Sequence, residues 1–466
     1  MVFSSLTFLF YFLGVVLLIY YLVPFRWKNG VLLAASLFFY GWGEPKNLLV
    51  MAAAVTGGYF FGLLIERFRT QPAGRYLLVC SVVFFLLLLG FYKYIDFLIG
   101  NLNRLTGWSL PLLGVSLPIG ISFYTFQLLG YTIDVYRGDT KAQIRFLSFA
   151  TYAAMFPQLI AGPIVRYTDI SGQLHHRTHS FDRAAVGCRR FLIGLSKKVL
   201  LADVLGEFCQ LFSGSGEQSV CFFWMYAAAN MLQIYFDFSG YSDMAIGLGQ
   251  LFGFDFPENF RYPLCADCIT DFWRRWHITL GKWFRDYVYI PLGGNRVPRV
   301  IWLRNLLIVW FLTGLWHGAS WTFVCWGLFF GVILLLEKCF LLKVLKRCPV
   351  VNHLYVLLIV SVSFVLFQSA DLTDALFSIR CMFGAGNLPA ASAEFWYYLR
   401  NYGLLLVISA IGATPLPANL VRFLRRCKTG DAVLNLAEPI VLALLLLVTA
   451  AYLVDGSFHP FLYFRF

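Results

Sequence analysis

The chain has 466 residues, of which 59% are hydrophobic and only 13% charged, and its formal net charge is +13. Soluble domains carry about 25% charged residues, so this composition excludes an ordinary soluble protein. Long apolar runs recur along the whole sequence without the two-residue alternation of an outer-membrane barrel. We therefore predict an all-α, polytopic membrane protein, in which each span needs roughly 20 apolar residues.

The basic residues are scattered between the apolar runs, which is typical of cytoplasmic loops next to anionic lipid and not of a nucleic-acid-binding surface. We predict one transmembrane domain over residues 1–466, with roughly 11–13 true spans. The first apolar run has no basic segment before it and no small-residue cleavage site after it, so we interpret it as a helix and not as a signal peptide. The candidate spans are residues 3–24, 31–42, 48–65, 76–92, 117–135, 146–164, 191–205, 220–235, 300–316, 321–340, 353–367, 398–411 and 434–454.

Loop charges predict the orientation, because basic loops stay in the cytoplasm. Arg26 and Lys28 follow the first span, which places the N-terminus outside, and residues 166–190 form a basic inner loop. Residues 371–394 carry several acids and one arginine and are predicted to lie outside. The last span then delivers an aromatic tail, residues 455–466, to the extracytoplasmic face.

Residues 265–299 interrupt the apolar pattern with a segment that is both charged and rich in aromatics. Their three- and four-residue spacing predicts one amphipathic or re-entrant helix, broken by the turn at 291–294. The residues on its aromatic face are Trp273, Trp276, His277, Leu280, Trp283, Phe284 and Tyr287. Cys265 and Cys268 form a single C-x-x-C pair with no second pair at a suitable distance, so we predict no metal site.

His317 ends a long apolar run, and an ionisable residue in such a run is a functional candidate by default. It is either a structural histidine bonded to a neighbouring helix or a general base in a reaction chamber. His277 has the same two interpretations. The adjacent Arg274 and Arg275 suit an anionic donor, and they equally suit lipid headgroups.

Asp237 lies in the apolar stretch 230–243, where a buried carboxylate usually pairs with an arginine or a histidine. We expect it either to orient a histidine or to pair with an arginine of the amphipathic helix. A structural pair is the simpler of these alternatives.

Two motifs carry a family resemblance: Phe272-Trp-Arg-Arg-Trp-His277 with Trp283-Phe-Arg-Asp-Tyr287, and Leu315-Trp-His317-Gly318. Together with the stretches 157–165 and 235–247, they resemble the membrane-bound O-acyltransferase (MBOAT) family over nearly the whole chain. The stretch 289–296 is similar to the branch that acetylates alginate-type polysaccharides.

The resemblance implies that the helices surround a central tunnel open to both membrane faces. It implies that His317 is the catalytic histidine, that His277 is the second signature position, and that Asp237, Arg274, Arg275 and Trp316 support the tunnel and the donor site. The tail 461–466 resembles a terminal aromatic motif of this branch, which makes Tyr463 the candidate acyl relay. An interfacial aromatic anchor is the alternative use of that tail.

These observations predict an inner-membrane O-acetyltransferase that needs no bound cofactor. It would pass an acetyl group from a cytoplasmic thioester, acetyl-CoA, to the O-acetylation of an extracellular or periplasmic polysaccharide. A separate extracytoplasmic SGNH-type O-acetyltransferase would complete the transfer onto the sugar. The alternatives are D-alanyl transfer to teichoic acid and a transporter of lipid or glycan.

Overall fold

The computed structural model of the chain describes residues 1–160, 162–345 and 349–455. Within these residues every regular element is helical, as the composition predicted. The helices fall into two compact units, one made of Met1–Phe191 with Ser242–Glu258, the other of Leu192–Tyr241 with the described residues from Asn259 onward. The two units thus alternate along the sequence, and each is built from two separate stretches of chain. The prediction of a single transmembrane domain stays a prediction.

The first unit contains the N-terminal helices, and α10 and α12 contribute residues to both units. The helices up to α12 are α1 (Leu13–Leu22), α2 (Phe25–Gly43), α3 (Leu48–Phe68), α4 (Pro72–Leu89), α5 (Ile95–Thr106), α6 (Ile121–Arg137), α7 (Phe146–Ala154), α8 (Phe156–Leu159), α9 (Tyr167–His175), α10 (Phe181–Ser196), α11 (Val204–Ser213) and α12 (Val220–Leu251). Within the first unit, the guanidinium of Arg190 binds the carboxylates of Asp243 and Glu258 at 2.9 and 2.6 Å.

The second unit continues with α13 (Ile269–Arg275), α14 (Ile278–Phe284), α15 (Arg299–His317), α16 (Trp321–Leu336), α17 (Leu342–Leu345), α18 (Pro349–Gln368), α19 (Leu372–Met382), α20 (Ala393–Gly412), α21 (Leu416–Leu424) and α22 (Lys428–Asp455). Wide π-helical turns extend several helices at Thr7–Phe12, Gly90–Tyr94, Lys197–Asp203, Arg285–Tyr289 and Glu337–Leu341, and a 3₁₀ turn lies at Pro263–Cys265.

Each predicted span overlaps at least one helix. Five described helices are long and apolar enough to cross a membrane, and the bent pair Ala393–Gly412 and Leu416–Leu424 would make a sixth. The five are Leu48–Phe68, Pro72–Thr106, Arg299–His317, Val350–Gln368 and Lys428–Asp455. Other predicted spans coincide with helices that are shorter or carry more polar residues, such as α12.

The candidate span 146–164 is not one continuous helix. Helix α7 ends at Ala154, Met155 leaves the helical region with φ −56° and ψ 116°, and the four-residue α8 follows. Pro157 explains the break, because it has no N–H to donate to the carbonyl four residues earlier and its ring would clash with that carbonyl in a continuous helix. The backbone N–H of Phe156 donates to Ser36 Oγ at 3.0 Å, so the interruption is satisfied inside the first unit.

Helices α15 and α16 form a hairpin in which two glycines bring the backbones together. A Cβ on Gly327 would lie 2.3 Å from the carbonyl oxygen of Trp310, and one on Gly314 would lie 2.3 Å from that of Phe323. Small residues permit such close helix contacts in membranes. The hairpin matters because α15 ends at His317.

We predict that Gly327→Ala destabilises the protein, since an added methyl group collides with backbone and overpacking costs about 1–3 kcal/mol. Thermal unfolding in detergent should show a lowered Tm. Gly100→Ala in α5 is the matched control, because an added Cβ there meets no heavy atom within 4 Å. The same loss of Tm in both variants would contradict the proposed backbone contact.

Candidate active site

His277 lies at a break between two short helices and not on one continuous amphipathic helix, so that prediction is wrong. Helix α13 ends at Arg275, Trp276 is extended, and His277 adopts a left-handed conformation with φ 43° and ψ 52° before α14 begins at Ile278. Such backbone angles are uncommon for a residue other than glycine and cluster at functional sites. The break turns the imidazole into the interior, where His277 is 1% exposed.

A fully buried asparagine, Asn259, holds this break in place. Its backbone oxygen accepts the Ile278 N–H at 3.0 Å. Its side-chain oxygen Oδ1 accepts the backbone N–H of Thr279 at 3.3 Å and the Thr279 hydroxyl at 2.9 Å. The side chain of Asn259 thereby satisfies donors that a continuous helix would have bonded internally.

The same oxygen fixes the tautomer of His277. The Nδ1 atom of His277 lies 3.1 Å from the Asn259 side-chain atom that accepts the backbone N–H of Thr279. Because only the amide oxygen Oδ1 can accept that N–H, Nδ1 of His277 must be the donor in this contact. In a neutral ring the lone pair then lies on Nε2, which is buried and has no hydrogen-bond partner within the part of the chain that the structure describes. Burial, followed by the neighbouring His317, lowers the pKa of His277 well below its usual value, so this ring is neutral at physiological pH. His277 itself lies outside the long apolar helices.

His317 is oriented in the same way by the last turn of α15. Its Nδ1 lies 2.7 Å from the carbonyl oxygen of Thr313, which can only accept, so Nδ1 donates. In the neutral ring, Nε2 is therefore the nitrogen that can take up a proton. The side chain is 3% exposed, and Gly318 ends the helix next to it.

Aromatic rings surround both histidines. The indole of Trp316 contacts both imidazoles, with ring centroids 6.0 Å from His277 and 5.0 Å from His317. Phe238 packs edge-on against His277 at 4.7 Å. Trp326 and Phe367 pack against His317 at 4.9 and 5.7 Å. The two histidines thus belong to one aromatic cluster in which Trp316 is shared.

A cavity of about 530 Å³ opens beside His277 and extends to Thr313, the residue whose carbonyl orients His317. We call it the basic cavity, because its wall carries the four cations Arg274, Lys282, Arg285 and Lys338. Its volume suits a small-molecule ligand. Of the two arginines predicted to support a donor, Arg274 lines this cavity, whereas Arg275 pairs with Asp271 at 2.8 Å one helical turn away.

Glu337 is a functional candidate that sequence reasoning missed. This fully buried carboxylate accepts the backbone N–H groups of Ile269 and Thr270 at 2.6 and 2.8 Å and the Thr270 hydroxyl at 2.7 Å. It therefore holds the start of α13. A lone acid in the apolar run 321–340 was the available signal, by the same rule that identified His317.

Asp237 pairs with Lys198 at 2.7 Å, and Lys198 also pairs with Asp203 at 2.5 Å. The partner of Asp237 is thus a lysine, whereas the sequence predicted an arginine or a histidine. This lysine lies in the predicted span 191–205. Cys268 has a structural contact, since its sulfur accepts the Asp271 N–H at 3.3 Å and caps α13. Tyr463 lies outside the described residues.

Comparison with known proteins places the chain in a family. Residues 140–370 match the sequence pattern of MBOAT, the membrane-bound O-acyltransferase family. The chain is 39% identical to the probable alginate O-acetylase AlgI of Azotobacter vinelandii over 500 aligned positions that cover 100% of both chains. It is 32% identical to the peptidoglycan O-acetyltransferase of Helicobacter pylori, covering 100% of this chain and 98% of that one.

The similarity to the teichoic acid D-alanyltransferase of Streptococcus thermophilus is lower. It amounts to 26% identity over 248 positions, 48% of this chain and 58% of that one. The acetyl-transferring relatives are thus matched over nearly their full length, and the D-alanyl-transferring relative over about half. The resemblance inferred from the two histidine motifs is confirmed: the chain belongs to the membrane-bound O-acyltransferase family and is a multi-pass membrane enzyme that transfers acyl groups to oxygen.

Proposed function

We propose that this enzyme takes an acetyl group from acetyl-CoA in the cytoplasm and passes it to a hydroxyl acceptor for O-acetylation of an extracytoplasmic polysaccharide of the alginate type. The observation that carries the proposal is the orientation of His317, whose Nδ1 donates to the Thr313 carbonyl, so that in the neutral ring Nε2 is the nitrogen that can accept a proton. The full-length similarity to O-acetyl-transferring relatives supports acetyl as the group transferred.

In this mechanism His317 Nε2 removes the proton from the acceptor hydroxyl as its oxygen attacks the thioester carbonyl. The new ester C–O bond forms, the C–S bond breaks, and the imidazolium returns the proton to the departing thiolate. Protons therefore balance without a metal or a further reactant. His277 contacts the same Trp316, and its Nε2, which has no hydrogen-bond partner among the described residues, can bind a reacting group or the acceptor.

The basic cavity is our candidate donor site. Coenzyme A carries phosphates, and arginine and lysine side chains at Arg274, Lys282, Arg285 and Lys338 suit such an anion. Since the cavity reaches His277 and Thr313, a thioester at its inner end would lie near both histidines. The nucleotide portion would remain at the cationic wall.

We further propose that the protein lies in the inner membrane with its N-terminus and C-terminal tail outside the cytoplasm, as the loop charges predict. In this orientation Tyr463 receives the acetyl group on its phenolic oxygen, and an SGNH-type transferase of the outer compartment moves it to the polysaccharide. A transporter is the alternative from another class. The oriented imidazoles favour the enzyme, because transport does not need a base with a fixed tautomer.

His317→Ala should slow acetyl transfer from radiolabelled acetyl-CoA by about 10²–10⁴-fold, because it removes the base. The measurement is label transfer in purified protein, with the membrane level of each variant quantified. His176→Ala, in an exposed loop, is the control and should retain activity. Normal transfer by His317→Ala would refute the mechanism. Absence of label with wild-type protein, but transfer from a D-alanyl carrier-protein thioester, would favour the teichoic-acid alternative.

Asn259→Ala should lower kcat/KM by about tenfold or more, because His277 loses the acceptor that fixes its tautomer and position. Asn259→Asp keeps an oxygen acceptor but places a carboxylate beside the ring, which raises the pKa of His277. An imidazole with a raised pKa stays protonated to higher pH and cannot accept a hydrogen bond through Nε2 in that state, so the acid limb of the pH–rate profile should move to higher pH. A profile of Asn259→Asp identical to wild type would show that His277 takes no part.

Tyr463→Phe removes only the phenolic oxygen and should stop polysaccharide acetylation in cells, while the protein keeps its membrane level. Tyr452→Phe is the matched control, because Tyr452 is an exposed tyrosine near the end of α22. Polysaccharide acetylation should be measured by release of acetate from the purified polymer. An unchanged acetate content in Tyr463→Phe would eliminate the relay.

A further inference from the structure

Two cations lie against the same tyrosine in the first unit. The ammonium of Lys28, at the start of α2, lies 4.4 Å from the ring centre of Tyr20 in α1. The guanidinium of Arg177, in the loop between α9 and α10, donates from Nε to the Tyr20 hydroxyl at 2.8 Å. Lys28 and Arg177 are both buried, with 8% of each residue exposed. We call these three residues the tyrosine–cation cluster.

Neither cation of the cluster forms an ion pair within the part of the chain that the structure describes. The nearby Arg183 is already paired, with Asp255 at 2.6 Å. Nη1 of Arg177 donates to the side-chain oxygen of Asn29 at 2.8 Å, whereas Nη2 is buried and has no hydrogen-bond partner among the described residues. A buried charged donor without an acceptor is unfavourable, so Nη2 indicates an acceptor that the chain does not supply.

The neighbouring histidine adds no charge to the cluster. His179 lies 3.0 Å from the Tyr20 hydroxyl. Burial, and then the charges of Lys28 and Arg177, lowers the pKa of His179 to about 4, so its imidazole is neutral at physiological pH. Burial, and then the charge of Arg177, also lowers the pKa of Lys28, which is the direction expected for a cation held near another without an anion between them.

Exposed aromatic side chains next to the cluster indicate a membrane surface. Phe25 and Trp27, beside Lys28, are 41% and 58% exposed, and Phe181 at the start of α10 is 96% exposed. Aromatic residues in such positions are typical of the boundary between lipid and water. Both cations lie in segments that the loop charges predict to be cytoplasmic, and the lipid leaflet on that side carries anionic phospholipids. A lipid phosphate is therefore the anion expected at this position.

We propose that the tyrosine–cation cluster binds one phosphate anion, that of an anionic phospholipid headgroup, between Lys28 and Arg177. Phosphate oxygens would accept hydrogen bonds from Nη2 of Arg177 and from the ammonium of Lys28. Lys28 carries its charge on a flexible side chain at the exposed start of α2, so it can turn toward the phosphate without a movement of the helix. The bound lipid would hold α1, α2 and the loop before α10 together. This binding does not depend on acetyl transfer.

The alternative is that aromatic rings alone stabilise the two cations. The ammonium of Lys28 also lies 5.1 Å from the ring centre of Tyr21, and the guanidinium of Arg177 lies 4.6 Å from that of Phe254. Such contacts attract a cation to the ring face, but they neutralise no charge and give Nη2 of Arg177 no hydrogen-bond acceptor. An experiment must therefore measure whether an anion binds.

The test uses purified full-length protein in a neutral detergent, freed of lipid, at 0.15 M salt. The protein is titrated with dioctanoyl phosphatidylglycerol, and Tm is recorded at each concentration. A ligand that binds only the folded state raises Tm, and the dependence on concentration gives an apparent Kd. Dioctanoylglycerol has the same chains without the phosphate and should leave Tm unchanged. Inorganic phosphate, which has no chains, should act only at much higher concentration.

The variant is Lys28→Gln, which removes one positive charge. It should raise the apparent Kd for the phospholipid about fivefold, because one cation beside an anionic headgroup contributes roughly this factor. Lys28→Arg keeps the charge and should bind the lipid as wild type does. Arg26→Gln is the matched control, since it removes the same charge from an exposed residue of the same helix. An exposed charge is largely screened at this salt concentration, so Arg26→Gln should keep the wild-type Kd.

The outcomes separate the site from its alternatives. A rise in Tm with the phospholipid that only Lys28→Gln weakens would support the site. The absence of a rise with both the phospholipid and inorganic phosphate would overturn it, and so would an equal weakening in Lys28→Gln and Arg26→Gln. An equal rise with inorganic phosphate would support the phosphate site and overturn its assignment to a lipid.

Discussion

The contact between Asn259 and the break at His277 is the constraint on which the rest of the site depends. One amide oxygen receives the Thr279 N–H, the Thr279 hydroxyl and the imidazole Nδ1–H, all within 3.3 Å. Without it the buried donors at the start of α14 would lack an acceptor, and an unsatisfied buried donor costs about 1–3 kcal/mol. The left-handed backbone of His277 is therefore held by hydrogen bonds that reach across 18 positions of sequence.

The two histidines share one tautomer, with the proton on Nδ1, but different acceptors fix it. His317 relies on a carbonyl of its own helix, four residues earlier, whereas His277 relies on a side chain from a preceding loop. Trp316 contacts both rings, and the glycine contact between α15 and α16 fixes the helix that carries Trp316 and His317. A buried carboxylate, Glu337, holds the start of α13 on the other side of the break. Local helix geometry, close helix packing and long-range hydrogen bonds thus together position the two histidines and Trp316.

The sequence predicted the helical membrane class, the approximate positions of most helices and the two central histidines, because apolar runs and isolated ionisable residues are local signals. It failed at Trp276 and His277, since the three- and four-residue spacing of aromatics continues through the break and no proline or glycine marks it. Asn259 could not be identified, because its role exists only through contacts distant in sequence. Pro157, Lys198 and Glu337 are different, since each is a local signal: a proline or a single charged residue within an apolar run.

The shared tautomer of the two imidazoles has a spectroscopic consequence. Free neutral histidine in water mainly carries its proton on Nε2, whereas the carbonyl of Thr313 and the amide oxygen of Asn259 both require it on Nδ1. In a sample labelled with nitrogen-15 at histidine, these two rings would give resonances with the chemical shifts of the less common form. Isotope labelling could therefore follow the state of the reaction centre directly, without any substrate turnover.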